Sequence, residues 1–167
     1  LPSLEPLLRN AEHNFLHNYL GLNEDAGLPL TPDCADLPYI LRSYFAWKMG
    51  LPIAFRACNR GSGNTPPRCS TPTLMTEFTR NPNTPASFTQ FSRKLANTVH
   101  SGSARTGLDD ESTDWYPVPL RRDALMPGTI FADPYGHILV LAEWVPQTAE
   151  QAGMLWAVDA QPDNTVT

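Results

Sequence analysis

The chain has 167 residues with 12 basic and 17 acidic side chains, a net charge of −5. That length gives a single domain with a core of ordinary size, and a hydrophobic fraction of 41% excludes wholesale disorder. No Lys or Arg run exceeds the pair Arg121-Arg122, so the sequence lacks a nucleic-acid footprint, and no apolar run exceeds Ile138 to Ala142, far short of the ~20 residues that cross a bilayer.

In chain order, Leu4, Leu8, Ala11, Phe15 and Tyr19 step by three or four and predict an amphipathic helix over 4–20 that stops at Gly21. A turn-rich connector leads to a second helix over 34–49, with Leu37, Ile40, Leu41, Tyr44, Phe45 and Lys48 at helical spacing and Gly50 as its end. Pro38 complicates its first turn, so Cys34 falls on a loosened turn or just ahead of the helix. Leu51 to Phe55 reads as a short strand. The next 33 residues, Cys58 to Gln90, hold five prolines and no sustained period, which predicts a long excursion loop. Ser87-Phe88-Thr89-Gln90 has capping-box form and opens a helix marked by Phe88, Phe91, Leu95 and Val99. From there the pattern turns strand-like: Thr129 to Ala132, a turn at Asp133-Pro134-Tyr135-Gly136, His137 to Trp144, and Met154 to Asp159. Helices first and an antiparallel sheet last predict an α+β fold rather than βαβ units.

The three cysteines divide by context. Cys58 and Cys69 flank a loop rich in Gly, Asn, Pro and Ser, where they form either one disulfide, which favours a secreted or periplasmic setting, or two unpaired thiols. Cys34 stands alone before the second helix. There it is either a small buried hydrophobe or a nucleophile whose pKa is lowered by the helix start. His137 opens a strand after a tight turn and is the candidate base; His100, after a helix C-terminus, is the rival. Asp159 ends the neighbouring apolar run and is the candidate group to orient the imidazole, with Gln161 and Glu143 as alternatives. Cys34, His137 and Asp159 then form a nucleophile, base and orienter for attack on an acyl carbon, with the Cys34 N–H as part of an oxyanion hole. This chemistry needs neither metal nor cofactor. No C-x-x-C or second close Cys/His pair supplies a zinc site, and His13 and His17, four apart, read as a solvated helix face. Gly61-Ser62-Gly63 lacks the third glycine of a dinucleotide loop.

These residues carry a family resemblance. Asp33-Cys34-Ala35-Asp36, a helix, then Met49-Gly50-Leu51-Pro52-Ile53, followed by Gly136-His137-Ile138-Leu139-Val140 and Leu155-Trp156-Ala157-Val158-Asp159-Ala160, resembles the transglutaminase-like core. Leu125-Met126-Pro127-Gly128-Thr129-Ile130-Phe131 leading to Gly136-His137 is similar to segments of NlpC-type cell-wall peptidases. The resemblance implies a papain-like, transglutaminase-like α+β domain over 1–167, its N-terminal helices packed on a C-terminal antiparallel sheet, with a loop and helix insertion at about 58–115. It implies thiol-based amide hydrolysis or acyl transfer on a peptide, isopeptide or peptidoglycan substrate, with Trp115 and Tyr116 as candidates for the substrate-binding wall. The competing expectation is a catalytically silent papain-like domain that binds a protein or cell-wall peptide through the 58–90 loop. A third is an effector domain separated from a neighbouring domain or immunity protein. The opening on Leu1 leaves open that a signal or a preceding domain has been removed.

Overall fold

Asparagines decide the fate of the first expected helix. In the computed structural model, which describes residues 1–133 and 135–167, helix α1 spans only Glu5–Leu8, and the chain continues to residue 20 as turns. Asn10 Oδ1 accepts the Glu12 N–H at 2.8 Å, Asn14 Oδ1 accepts the Leu16 N–H at 3.0 Å, and Asn18 takes a left-handed conformation with φ 50°. Each short side-chain amide offers the backbone a local partner in competition with the helical ladder. Leu4, Leu8 and Leu16 are buried, whereas Phe15 and Tyr19, expected on the same face, are 85% and 57% exposed. With the helix ending at Leu8, His13 and His17 have no shared helical face.

Helix α2, Asp36–Lys48, forms where the period predicts it. Pro38 lies in its first turn, where the missing N–H is one that a helix leaves unpaired anyway. Gly50 follows at φ 66°, the left-handed conformation that ends helices. Helix α3, Pro85–Ala96, starts two residues before the expected cap at Ser87: Thr84 is the cap, its Oγ1 accepting the Ser87 N–H at 3.2 Å, and Pro85 occupies the first helical position. Phe88, Phe91 and Leu95 of α3 are completely buried. Phe88 stacks on Trp47 of α2 with ring centroids 4.4 Å apart. The 58–115 region therefore supplies half of the helical layer as well as a loop.

Strand β1, Ala54–Phe55, pairs with β2, Thr73–Leu74, inside the stretch read as loop. Beyond them Cys58 and Cys69 are joined as a disulfide. The second sheet is antiparallel, in the order β3 (Ile130–Ala132), β4 (Ile138–Val145), β5 (Met154–Val158). Its register pairs Phe131 with Leu139 and Val140 with Val158, and shifts at a bulge between Leu141 and Glu143. The turn before β4 is closed by Gly136 N–H to Asp133 O at 2.9 Å and Asp133 N–H to His137 O at 2.8 Å; Pro134, part of that expected turn, lies outside the described residues. After β5 the chain reverses at Asn164, φ 69°, and Ala160 bridges Val166 in antiparallel fashion. Val140, Ala160 and Val166 join the buried faces of α2 and α3 in one core. The architecture is mixed α+β, and among the described residues no helix is long and apolar enough to cross a membrane.

A sealed polar network ties the amino-terminal turns to the far end of α2. Lys48 is 1% exposed, and its Nζ lies 2.5 Å from Glu24 Oε1 and 2.7 Å from Asp25 Oδ2. Tyr44 donates its hydroxyl to Asp25 Oδ1 at 2.5 Å and accepts from Asn14 Nδ2 at 2.8 Å. The Leu20 and Leu22 N–H groups complete the Glu24 carboxylate at 2.9 and 3.0 Å. Burial raises the Glu24 carboxyl, but Lys48 and these N–H groups outweigh it and bring the pKa down to about 2.

Candidate active site

The site is assembled from the start of α2 and two neighbouring ends of the second sheet. Asp33 caps the turn that leads into α2: its Oδ1 accepts the Ala35 and Asp36 N–H groups at 2.8 and 3.0 Å, and its carbonyl accepts the Leu37 N–H at 3.0 Å. Cys34 is the first residue of that turn, half-buried and unbridged. Of the two positions expected for Cys34, it takes the one just ahead of the helix, two residues before Asp36.

The strands bring the other two groups together. Continuing the pairing of Val140 with Val158 places Leu139 opposite Asp159, with His137 two residues along on the same face, a diagonal neighbour within reach of long side chains. His137 Nε2 lies 2.5 Å from Asp159 Oδ2. A carboxylate can only accept, so Nε2 carries a proton, and in the neutral imidazole Nδ1 is the nitrogen with the lone pair. The Ile138 N–H, the next backbone donor after His137, and the Asp159 carboxylate are both near enough to the Cys34 thiol to act on it electrostatically. Asn164 Nδ2 donates to Thr31 O at 2.9 Å, tethering the segment before Cys34 to the hairpin that follows Asp159.

Asp159 is itself held from three sides. Besides His137, Gln161 Nε2 donates to Oδ2 at 2.9 Å and Thr167 Oγ1 to Oδ1 at 2.5 Å. Burial favours its neutral form, yet the Thr167, His137 and Gln161 bonds prevail and hold the carboxyl below its ordinary range. Gln161, an alternative orienter, thus buttresses Asp159, whereas Glu143 sits exposed beyond the bulge. Thr167 was not visible to sequence reasoning; it arrives because the chain reverses at Asn164 and pairs Asp159 with Thr167 through N–H to O bonds of 3.0 and 3.1 Å.

Two electrostatic features differ from the expectation of a thiol activated by the helix start. Burial, followed by the carboxylates of Asp33 and Asp159, pushes the Cys34 thiol up, and the Ile138 N–H offsets only part of this. Asp36 is pushed up to about 7 by burial and by the Asp33 charge. The resting thiol is therefore neutral, and a base has to take its proton. His100, the rival base, is engaged elsewhere, its Nε2 lying 2.9 Å from Cys58 O.

The expected substrate wall divides in two. Trp115 packs edge-on against Tyr39 of α2 at 4.9 Å, with the Arg42 guanidinium 4.8 Å from its ring centroid. Tyr116 is 81% exposed. No contact of either with Cys34, His137 or Asp159 occurs among the described residues. No family model matches the chain, and no curated protein or solved structure matches it either.

Proposed function

We propose that the protein is a cysteine-dependent amide hydrolase or acyltransferase, a papain-like, transglutaminase-like domain in which Cys34 is the nucleophile, His137 the base and Asp159 the group that orients the imidazole. The observation that carries this reading is the His137–Asp159 hydrogen bond of 2.5 Å, made beside a half-buried thiol at a helix start. Cys34 Sγ attacks the amide carbonyl carbon as its proton passes to His137 Nδ1. The C–N bond then breaks as the imidazolium gives that proton to the leaving amine. Water, or a second amine, cleaves the thioester and the thiol regains its proton. The substrates this chemistry fits are peptides, isopeptides and peptidoglycan amides, and the Cys58–Cys69 disulfide supports a secreted or periplasmic setting.

One feature favours a second reading, a catalytically silent domain that binds a protein or cell-wall peptide: burial, with the Asp33 and Asp159 carboxylates, pushes the Cys34 thiol up. Alkylation of Cys34 by iodoacetamide from pH 4 to 9 separates the two. For an enzyme, the wild-type rate near neutral pH exceeds that of His137→Ala. Identical profiles in both proteins, each following a thiol of pKa about 8.5 or above, sink the catalytic assignment and leave the binding module.

A further inference from the structure

The overall charge conceals a strong asymmetry. Residues 56–105 carry seven basic side chains and one acidic one, Glu77, a net +6 inside a chain of −5. Two of these basic side chains, Arg60 and Arg68, lie on the hairpin closed by the Cys58–Cys69 disulfide. Its tip is pinned by the Ser62–Thr65 bridge, and Asn59 Oδ1 accepts the Gly61 and Arg68 N–H groups at 3.1 and 2.9 Å. Gly61 is held at φ 63°, where a Cβ would lie 2.6 Å from Thr65 O, so the curvature requires glycine. The hairpin encloses a cleft of about 290 Å³ lined by Arg60 and Arg68 together with Asn59, Ser62 and Thr65. Both arginines are exposed, and among the described residues neither has a carboxylate partner. Arg56, by contrast, is paired with Asp114.

The hairpin also borders the candidate site. The 3₁₀ turn Ser101–Ala104 has Gly102 against the Arg60 backbone, where a Cβ would come within 3.2 Å of Arg60 Cα. Ser101 of the same turn lies against Gly136, 3.3 Å from where a Cβ would sit, and Gly136 precedes His137. His100 fixes the turn to the hairpin through Cys58 O. One short turn therefore has the paired arginines on one side and the candidate base on the other.

We infer that Arg60 and Arg68 form an anion-binding subsite that selects substrates whose peptide carries carboxylate side chains or a free carboxylate near the scissile amide. The inference rests on the reading of Cys34 and His137 given above and names the substrate class for that site. Guanidinium groups suit carboxylates, and both arginines line one cleft of about 290 Å³ on this disulfide-closed hairpin. A long polyanion is disfavoured, because the remainder of the chain is acidic and would repel it.

The test is fluorescence anisotropy with a labelled peptide containing four glutamates, the same peptide with glutamines, and an oligothymidylate of matching charge. Wild type is expected to bind the glutamate peptide roughly tenfold more tightly than the glutamine peptide at low salt, with the preference fading as salt rises. Cys34→Ala retains that preference, Arg60→Gln/Arg68→Gln abolishes it, and Arg60→Glu/Arg68→Glu reverses it. Equal binding of the two peptides, a preference that survives the double substitutions, or tighter binding of the oligonucleotide overturns the inference. Iodoacetamide labelling of Cys34 is expected to be unchanged in the arginine variants. An unreactive thiol beside an intact, arginine-dependent peptide preference removes the catalytic reading and leaves the subsite standing.

Discussion

The two ends of α2 set the same kinds of side chain to opposite uses. At the C-terminal end, Lys48, Glu24, Asp25, Tyr44 and Asn14 are buried with their charges paired and their hydrogen bonds made. At the N-terminal end, burial and then the Asp33 and Asp159 carboxylates push the half-buried Cys34 thiol up, and Asp36 carries a carboxyl raised to about 7. The first cluster is satisfied and has no spare valence with which to react. In the second, His137 Nδ1 has no hydrogen-bond partner among the described residues. Burial of polar groups is therefore a poor guide to function by itself; what distinguishes the ends is whether every donor and acceptor already has its partner.

The largest expected effect comes from breaking the satisfied end. Lys48→Met leaves two carboxylates buried without their cation, and removing one partner from a buried ion pair costs roughly 3–5 kcal/mol. Against a total stability of about 5–15 kcal/mol for a domain, that brings the variant close to unfolding, as urea denaturation would measure. Asp159→Asn, at the open end, is expected to cost far less stability while removing the difference in Cys34 reactivity between wild type and His137→Ala. Equal stability losses in the two variants would erase the distinction between the ends.

Acid titration sharpens the same comparison because the ends respond with opposite signs. Glu24 is lowered from 4.5 to about 2. Its contribution, about 3 kcal/mol at 1.36 kcal/mol per unit, is present above pH 4.5 and is lost as the pH falls toward 2. Asp36 is raised from 3.8 to about 7, so the folded protein keeps a proton that the unfolded chain has released, and stability declines as the pH rises from about 4 through 7. Thermal melts should accordingly peak in mildly acidic buffer. Glu24→Gln flattens the acid limb and Asp36→Asn flattens the neutral limb. A peak at pH 8 or above in wild type would contradict the Asp36 assignment.

The legible parts of the sequence were those in which one periodicity had no competitor. Helix α2, the strands on either side of Gly136 and the strand that starts at Met154 follow from spacing and turn residues, and because strand pairing is local, the proximity of His137 and Asp159 follows as well. Residues 4–20 carry the same helical period, but asparagines at 10, 14 and 18 redirect the backbone through their own side chains. Apolar spacing does not weigh that competition. Lys48 was legible as a helix position but not as a buried cation, since its partners Glu24 and Asp25 come from a turn more than twenty residues away. The arginine hairpin was hidden for another reason: a net charge averages over surfaces that fold apart.

Thr167 provides the smallest and most selective test. Its hydroxyl donates to Asp159 Oδ1, a bond that favours the ionised carboxylate, so Thr167→Val should cost about 1 kcal/mol at neutral pH. The folded pKa of Asp159 is depressed, which means that the stability it confers is present above the ordinary carboxylate range and is lost as the pH falls through the folded value. The gap between wild type and variant should therefore close in acid. In the variant, Asp159 titrates closer to its ordinary value, a shift that NMR titration of its side-chain carboxyl carbon would read. A stability gap that persists unchanged at low pH, with no movement of that carboxyl titration, would assign Thr167 to closing the terminal hairpin through its backbone, leaving the orientation of His137 to Asp159 and Gln161.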